Sequence, residues 1–188
     1  MKIVIVSAST RHGRLTHHVA LGLYNSLQTK GEGGVQILDL KETALPHFEE
    51  AMSKQTHPSE IVNQVYSILN EADAFLFVTP EYNGSYSSAL KNMVDFFPKV
   101  TFAKKAIGIV TVSSGQMGGM RAAIQLQQLA LALWAIPSPQ MLLISNVQEK
   151  FAENGNLLDP SLEKTISHFL SEFLWLGKAL KNAQTPTL

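Results

Sequence analysis

The chain has 188 residues, no cysteine, and 15 basic against 15 acidic residues for a formal net charge of +0. That length suits one domain, 1–188, with a sizeable core; the missing cysteines exclude disulfides, thiolate metal sites and a cysteine nucleophile, and the balanced charge argues against a nucleic-acid partner held by bulk electrostatics. No apolar run reaches the ~18 residues of a membrane helix, and "MKIVIVSAST" lacks the longer core and cleavage pattern of a leader, so a cytoplasmic chain without a membrane partner is expected.

In chain order, Ile3 to Val6 is a continuous β-branched run, the pattern of a strand buried on both faces. Leu15, Val19, Ala20, Leu23 and Leu27 follow at helical spacing, "KGEGG" breaks that helix, and "VQILDL" reads as a second strand. A loop is expected from about Lys41 to Ser59, then a helix marked by Ile61, Val65, Ile68 and Leu69, a strand from Ala74 to Val78, and a helix with Leu90, Val94 and Phe97 on one face. "AIGIVTV" is the fourth strand, and Met120 to Trp134 an apolar helix whose inner stripe is Ala123, Leu126, Ala130 and Leu133. It is apolar around much of its girth, which predicts more burial than most. "QMLLIS" reads as the fifth strand, and Asp159-Pro160 as the cap and first turn of the last helix. Five strands alternating with helices imply a parallel sheet with helices on both faces, an α/β/α sandwich. The flavodoxin-like order 2-1-3-4-5 puts the ligand loops after strands 1, 3 and 4.

Those loops have distinct chemistry. "SASTRHGRLT" supplies Ser7, Ser9, Thr10 and Thr16 hydroxyls, Arg11 and Arg14, and the free N–H groups of a helix start, a combination suited to phosphate and equally to a plain capped helix. It has no G-x-G-x-x-G, so a Rossmann dehydrogenase is not expected. "TPEYNGSYSSALKN" has Pro80 to shape its exit from the sheet, backbone amides from Glu81 to Gly84, the Tyr82 ring and a permissive Gly84. "SSGQMGGMRA" can lay its backbone against a flat ligand through Gly115, Gly118 and Gly119. Taken together, the loops describe a planar, polar-edged heterocycle carrying a phosphate, a mononucleotide such as FMN. That explains why they bring so little acid, base or nucleophile: a redox cofactor carries its own chemistry. His17 and His18 are adjacent on a helix and diverge, so no metal site is expected.

At these residues the sequence resembles the NAD(P)H-dependent FMN reductase family, flavodoxin-like enzymes that include quinone, azo-dye and chromate reductases. Pro80-Glu81-Tyr82-Asn83-Gly84 is intact as that family's second loop. Ser9 and Arg11 match its phosphate loop, with Ala8 where glycine is usual, Arg14 where serine is common, and Ser87-Ser88 in place of Pro-Gly. The resemblance implies FMN held at its phosphate by Ser9, Arg11, Leu15 and Thr16. The ring would rest against Pro80, Glu81, Tyr82, Asn83 and Gly84, with Ser113, Ser114, Gly115, Gly118 and Gly119 on a further side. It implies hydride transfer from NADPH or NADH through flavin N5 to a small acceptor (a flavin, quinone, azo compound or metal oxyanion), with no catalytic side chain. Gly118 and Gly119 are then candidate donors to the N1–O2 edge of the ring.

Two other readings remain open from the sequence: an FMN-binding electron carrier without reductase activity, and a nucleotide-handling protein without flavin on the same fold. Carriers tend to be strongly acidic, which this chain is not. The large side chains Met93, Phe96, Phe97 and Phe102 exceed what one inner face needs, and with the family resemblance they predict a homodimer or higher homo-oligomer. Trp134 and Trp175 lie on apolar helical stripes and are expected in the core or at an interface.

Overall fold

Ile3–Ser7 (β1), Val35–Asp39 (β2), Ala74–Pro80 (β3), Ala106–Val112 (β4) and Ile136–Ile144 (β5) form one parallel sheet in the order β2-β1-β3-β4-β5, in a computed structural model that describes residues 1–184. β1, β3 and β4 are buried along their whole length, which is why they read as unbroken apolar runs. The pleat divides them between two cores. Val4, Val6, Phe75, Phe77, Ile107 and Ile109 point to one face, covered by Glu60–Glu71 (α3), Ser88–Phe96 (α4) and Met120–Ala132 (α5). Ile3, Ile5, Ala74, Leu76, Val110 and Val112 point to the other, covered by Leu15–Thr29 (α1) and Glu163–Gln184 (α6). This is the expected three-layer, flavodoxin-like sandwich.

Several local expectations are revised. The fifth strand begins at Ile136, ahead of "QMLLIS", and runs through Pro137 and Pro139. β5 pairs only with β4, and an edge strand tolerates residues that cannot donate. The stretch after β2 holds a one-turn helix, Leu40–Thr43 (α2), capped by Asp39, whose carboxylate accepts from the Lys41 N–H. The last helix is preceded by a 3-10 turn at Pro160–Leu162, with Asp159 accepting from the Ser161 N–H.

Met93, Phe96, Phe97 and Phe102 are all buried within the chain's own core. They therefore give no argument for a dimer. Nor is α5 buried all round: its Ala122, Ala123, Leu126 and Ala130 face the sheet, while Met120, Ile124 and Leu131 face outward. Trp134 and Trp175 are 64% and 66% exposed, so neither is a core residue.

At Gly108 the sheet and α6 meet closely. A Cβ there would press on Leu76 Cδ2 and come within 3.0 Å of the Phe173 ring and 3.2 Å of Phe169. Overpacking a filled core costs about 1–3 kcal/mol, so Gly108→Ala should lower the free energy of unfolding by that amount, read as a lower urea midpoint at an unchanged m value.

Candidate functional site

All three ligand loops leave the sheet at its carboxyl edge, where the strand order reverses between β1 and β3. The first loop ends β1 and starts α1. Ser9 and Thr16 are buried there, while Arg11 is exposed. The N-cap residue of α1 is Arg14, which makes no side-chain capping bond, so the first-turn N–H groups keep their donors for something else. An open cavity of about 280 Å³ lies over this helix start. Ser9, Arg11, Gly13, Arg14, Leu15 and Thr16 line it from below; Pro80, Glu81, Tyr82, Val112, Ser113, Ser114 and Val147 close it from the second loop, β4 and the turn after β5.

The second loop crosses over the first. Tyr82 and Ser9 hydroxyls are 3.0 Å apart, and the Arg11 guanidinium lies 5.6 Å from the centroid of the Tyr82 ring. Asn83 at φ 51° and Gly84 at φ 81° form the centre of a tight turn closed by Tyr82–Ser85 backbone bonds of 2.8 and 3.0 Å. Two left-handed residues in sequence are the type I′ signature, for which Asn-Gly is the preferred pair. Gln125 of α5 fixes this turn by donating to the Gly84 carbonyl at 2.8 Å and accepting from the Ser85 hydroxyl at 2.7 Å. The Glu81 N–H is spent on the Val112 carbonyl at 3.2 Å and the Tyr82 N–H on Ser85. Of the four amides offered by the sequence, those of Asn83 and Gly84 alone have no hydrogen-bond partner among the described residues.

Glu81 is turned to structural use. Its Oε1 accepts from Arg121 Nε at 3.0 Å and Nη2 at 2.7 Å, and its Oε2 lies 3.4 Å from the Ala122 N–H at the start of α5. A carboxylate at a helix N-terminus meets the positive end of the dipole. In the third loop Ser113 Oγ accepts from the Gly115 N–H at 3.0 Å, and Thr111 Oγ1 donates to the Gly118 carbonyl at 2.8 Å. Gly118 and Gly119 are both left-handed, and a Cβ on Gly119 would come 2.9 Å from Thr111 Cβ, so this bend requires glycine. The cavity thus gathers Ser9, Arg11, Leu15, Thr16, Pro80, Glu81, Tyr82, Ser113 and Ser114, while Asn83, Gly84, Gly115, Gly118 and Gly119 lie outside its wall.

Sequence reasoning missed Asp39 at the end of β2. Arg14 does not reach into the cavity as a free cation. It forms a fork with both carboxylate oxygens of Asp39 and donates to the Ser9 carbonyl at 3.0 Å. The two side chains are 11% and 14% exposed. Burial works against ionisation of Asp39, yet the Arg14 guanidinium and the Lys41 N–H hold its carboxyl below the ordinary value. His17 completes the network, its Nδ1 3.1 Å from Ser7 Oγ and 3.4 Å from Asp39 Oδ2; burial pushes its imidazole down, against the opposing pull of Asp39. An acid following a strand carries no local signal of an arginine 25 residues earlier.

The donor set fits a phosphate monoester: a helix start without a side-chain cap, two buried hydroxyl residues, and the exposed fork of Arg11 at the mouth. Residues 1–149 match the family model described as NADPH-dependent FMN reductase. The chain is 30% identical over 184 residues to an NAD(P)H-dependent FMN reductase of Pseudomonas aeruginosa, covering 95% of this chain and 96% of that one. It is 25% identical over 181 residues to an NADPH azoreductase of a Bacillus strain, covering 96% and 97%. Its fold superposes on the flavoenzyme NAD(P)H:(acceptor) oxidoreductase FerB of Paracoccus denitrificans with a TM-score of 0.75 at 22% identity, covering 94% and 97%. The chain belongs to the NADPH-dependent FMN reductase family and is an FMN-dependent NAD(P)H oxidoreductase.

Proposed function

We propose that the cavity over the start of α1 holds the FMN phosphate, and that the whole chain, as one FMN-binding domain, passes reducing equivalents from NAD(P)H to a small acceptor such as a flavin, quinone, azo compound or metal oxyanion. The observation that carries this reading is the α1 N-terminus, without a side-chain cap and opening on Ser9, Thr16 and Arg11. Ser9 and Thr16 contribute hydroxyls, Arg11 a planar fork, and Leu15 and Thr16 the first-turn amides. Pro80 to Tyr82 and Ser113–Ser114 wall the cavity, and beyond it the second loop to Gly84 and the third to Gly119 extend the surface on which a flat ring would rest, with the Asn83 and Gly84 amides as donors. FMN supplies the two-electron chemistry when bound. The protein's task is to orient two rings for transfer and to keep water away. Glu81 is held by Arg121 and α5 and is no free acid–base group, so no side chain is assigned a catalytic role. The relative named as an azoreductase supports planar aromatic acceptors.

Two tests apply. Purified protein should be yellow or become so with FMN, and should bleach on anaerobic addition of NADPH. Colour without bleaching would make it a carrier. Bleaching with no turnover of quinone or azo dye would remove those two acceptors.

A homodimer is also proposed, now on different residues. Met117, Met120, Ile124, Leu131 and Trp134 form an exposed stripe down the outer side of α5 and the turns flanking it, interspersed with Gln127 and Gln128, with the Lys99 ammonium over the Trp134 ring at its far end. Its upper end adjoins the glycine loop and the Glu81–Arg121 pair, so a second copy seated there would border the cofactor site. A stripe of this kind is what a self-complementary interface uses. Light scattering should give a dimer mass for the wild type and a monomer for Ile124→Glu/Leu131→Glu. A monomeric wild type at micromolar concentration would contradict the proposal. No helix of the described residues is long and apolar enough to cross a membrane, and an enzyme drawing on NAD(P)H is proposed to work in the cytoplasm, where those nucleotides are supplied.

A further inference from the structure

A second cavity, of about 400 Å³, opens on the other side of the phosphate loop at Thr10. Thr10 stands between Ser9 and Arg11, so the two cavities adjoin. One wall is the segment that contributes Leu40, Lys41, Ala44, Leu45 and His47; the other is Ser88, Ala89 and Asn92 of α4. The walls are tied together. Asn92 donates to the Pro46 carbonyl at 2.8 Å and accepts from the Phe48 N–H at 2.8 Å. Below them, Thr43 Oγ1 donates to the Asp39 carbonyl at 2.6 Å, so the Arg14–Asp39 pair and the 40–47 segment are anchored on the same residue.

The charge of this cavity is one-sided. Lys41 and His47 line it and no carboxylate does. Glu42, next in the chain to Lys41, is drawn instead towards Arg14, at 3.8 Å. Among the described residues neither Lys41 nor His47 has an ion-pair partner within 4.0 Å. An ammonium without a counter-ion, set in a concave wall beside Leu40, Leu45 and Ala89, suits a ligand with an anionic group and an apolar or flat body. Among the participants of the reaction, an uncharged quinone has no anionic group and a metal oxyanion has no flat body, whereas the reducing nucleotide joins several phosphate charges to two flat ring systems.

We infer that this cavity receives the phosphate-bearing part of NAD(P)H, with the Lys41 ammonium as the principal anion contact and the His47 ring N–H as a second donor. The inference rests on the adjoining cavity being the FMN site. It gives the 40–47 segment, which the sequence presents as a connecting loop, the role of fixing nucleotide affinity. Lys41 and His47 are then binding residues for the cosubstrate and take no part in the chemistry.

The test uses the FMN-loaded protein and NADP⁺, which binds without reacting. In calorimetric titrations Lys41→Gln should weaken NADP⁺ binding about tenfold, the loss expected of one charge-assisted contact, and Lys41→Gln/His47→Asn further. The salt dependence of the NADP⁺ dissociation constant should flatten in both variants. In steady state the KM for NADPH should rise by a similar factor, while kcat and the KM for an uncharged quinone stay within about twofold of wild type. NADP⁺ affinity unchanged in both variants would overturn the inference, as would a raised quinone KM at unchanged nucleotide KM. A wild-type protein that takes up no flavin would instead sink the reading of the neighbouring site, and this inference with it.

Discussion

Arg11→Ala should weaken FMN binding roughly thirtyfold or more while leaving riboflavin affinity unchanged. Arg11 lies at the mouth of the cavity, over the face of Tyr82, with no carboxylate paired to it among the described residues. Swinging off that ring, its guanidinium can offer two parallel N–H groups to a phosphate. A hydrogen bond to a charged group is worth about 1.5–3 kcal/mol, and the bidentate geometry puts this one at the upper end. Riboflavin has the same ring without the phosphate, so it reports whether the loss is local to the anion. Arg11→Lys should recover only part of the affinity, since an ammonium is a point donor without the planar fork. Quenching of flavin fluorescence on titration measures both flavins against the wild type and both variants. Equal losses for FMN and riboflavin would place Arg11 against the ring and not the phosphate.

The second large effect is one of stability. Asp39→Ala would leave the buried Arg14 guanidinium with only the exposed Glu42 carboxylate, 3.8 Å away, in place of its forked partner, a change that costs about 3–5 kcal/mol. For a chain of this length that lowers Tm by roughly 6–20 °C at 2–4 °C per kcal/mol. Replacing both partners with apolar residues, Arg14→Met/Asp39→Leu, should restore most of the stability, because no orphaned charge remains. FMN affinity should not recover with it, since the Arg14 bond to the Ser9 carbonyl is lost in the double variant. The pair also sets a pH dependence. The Asp39 carboxyl titrates lower in the folded chain than in the unfolded one, so its stabilisation is full above the unfolded value of about 3.9 and is lost as pH falls through the folded value. The wild type should therefore lose stability more steeply than the double variant on acidification below about pH 4. Parallel acid slopes would contradict this.

The sheet and most of its helices were legible because buried parallel strands and amphipathic helices write their periods directly into the sequence. Ile3 to Val6 and Ala106 to Val112 have no polar residue to confuse the reading beyond Thr111. Less legible was whatever depends on sequence-distant partners or a neighbour's absence. The prolines at 137 and 139 obscured β5, whose open edge is a property of the sheet and not of the segment. The four residues of α2 are too few to establish a period, and their cap, Asp39, was read only as the end of a strand. At the site the loops themselves were found, since glycines, hydroxyls and an Asn-Gly pair are local signals. Their internal bonding was not. The Glu81 and Tyr82 amides looked available and are used within the chain, and the Glu81 carboxylate pairs with an arginine 40 positions away. The aromatic residues of α4 looked like surplus and are core, while the true exposed stripe lies on α5, where inward alanines leave the larger side chains on the outer side.

Calorimetric titration of the flavin-free protein with FMN, and separately with riboflavin, tests the central claim most directly. The account predicts one FMN per chain, bound about a hundredfold or more tighter than riboflavin, because several charge-assisted contacts act on the phosphate together. Equal affinity for the two, or no binding of either, would contradict the assignment of the α1 cavity as the phosphate site.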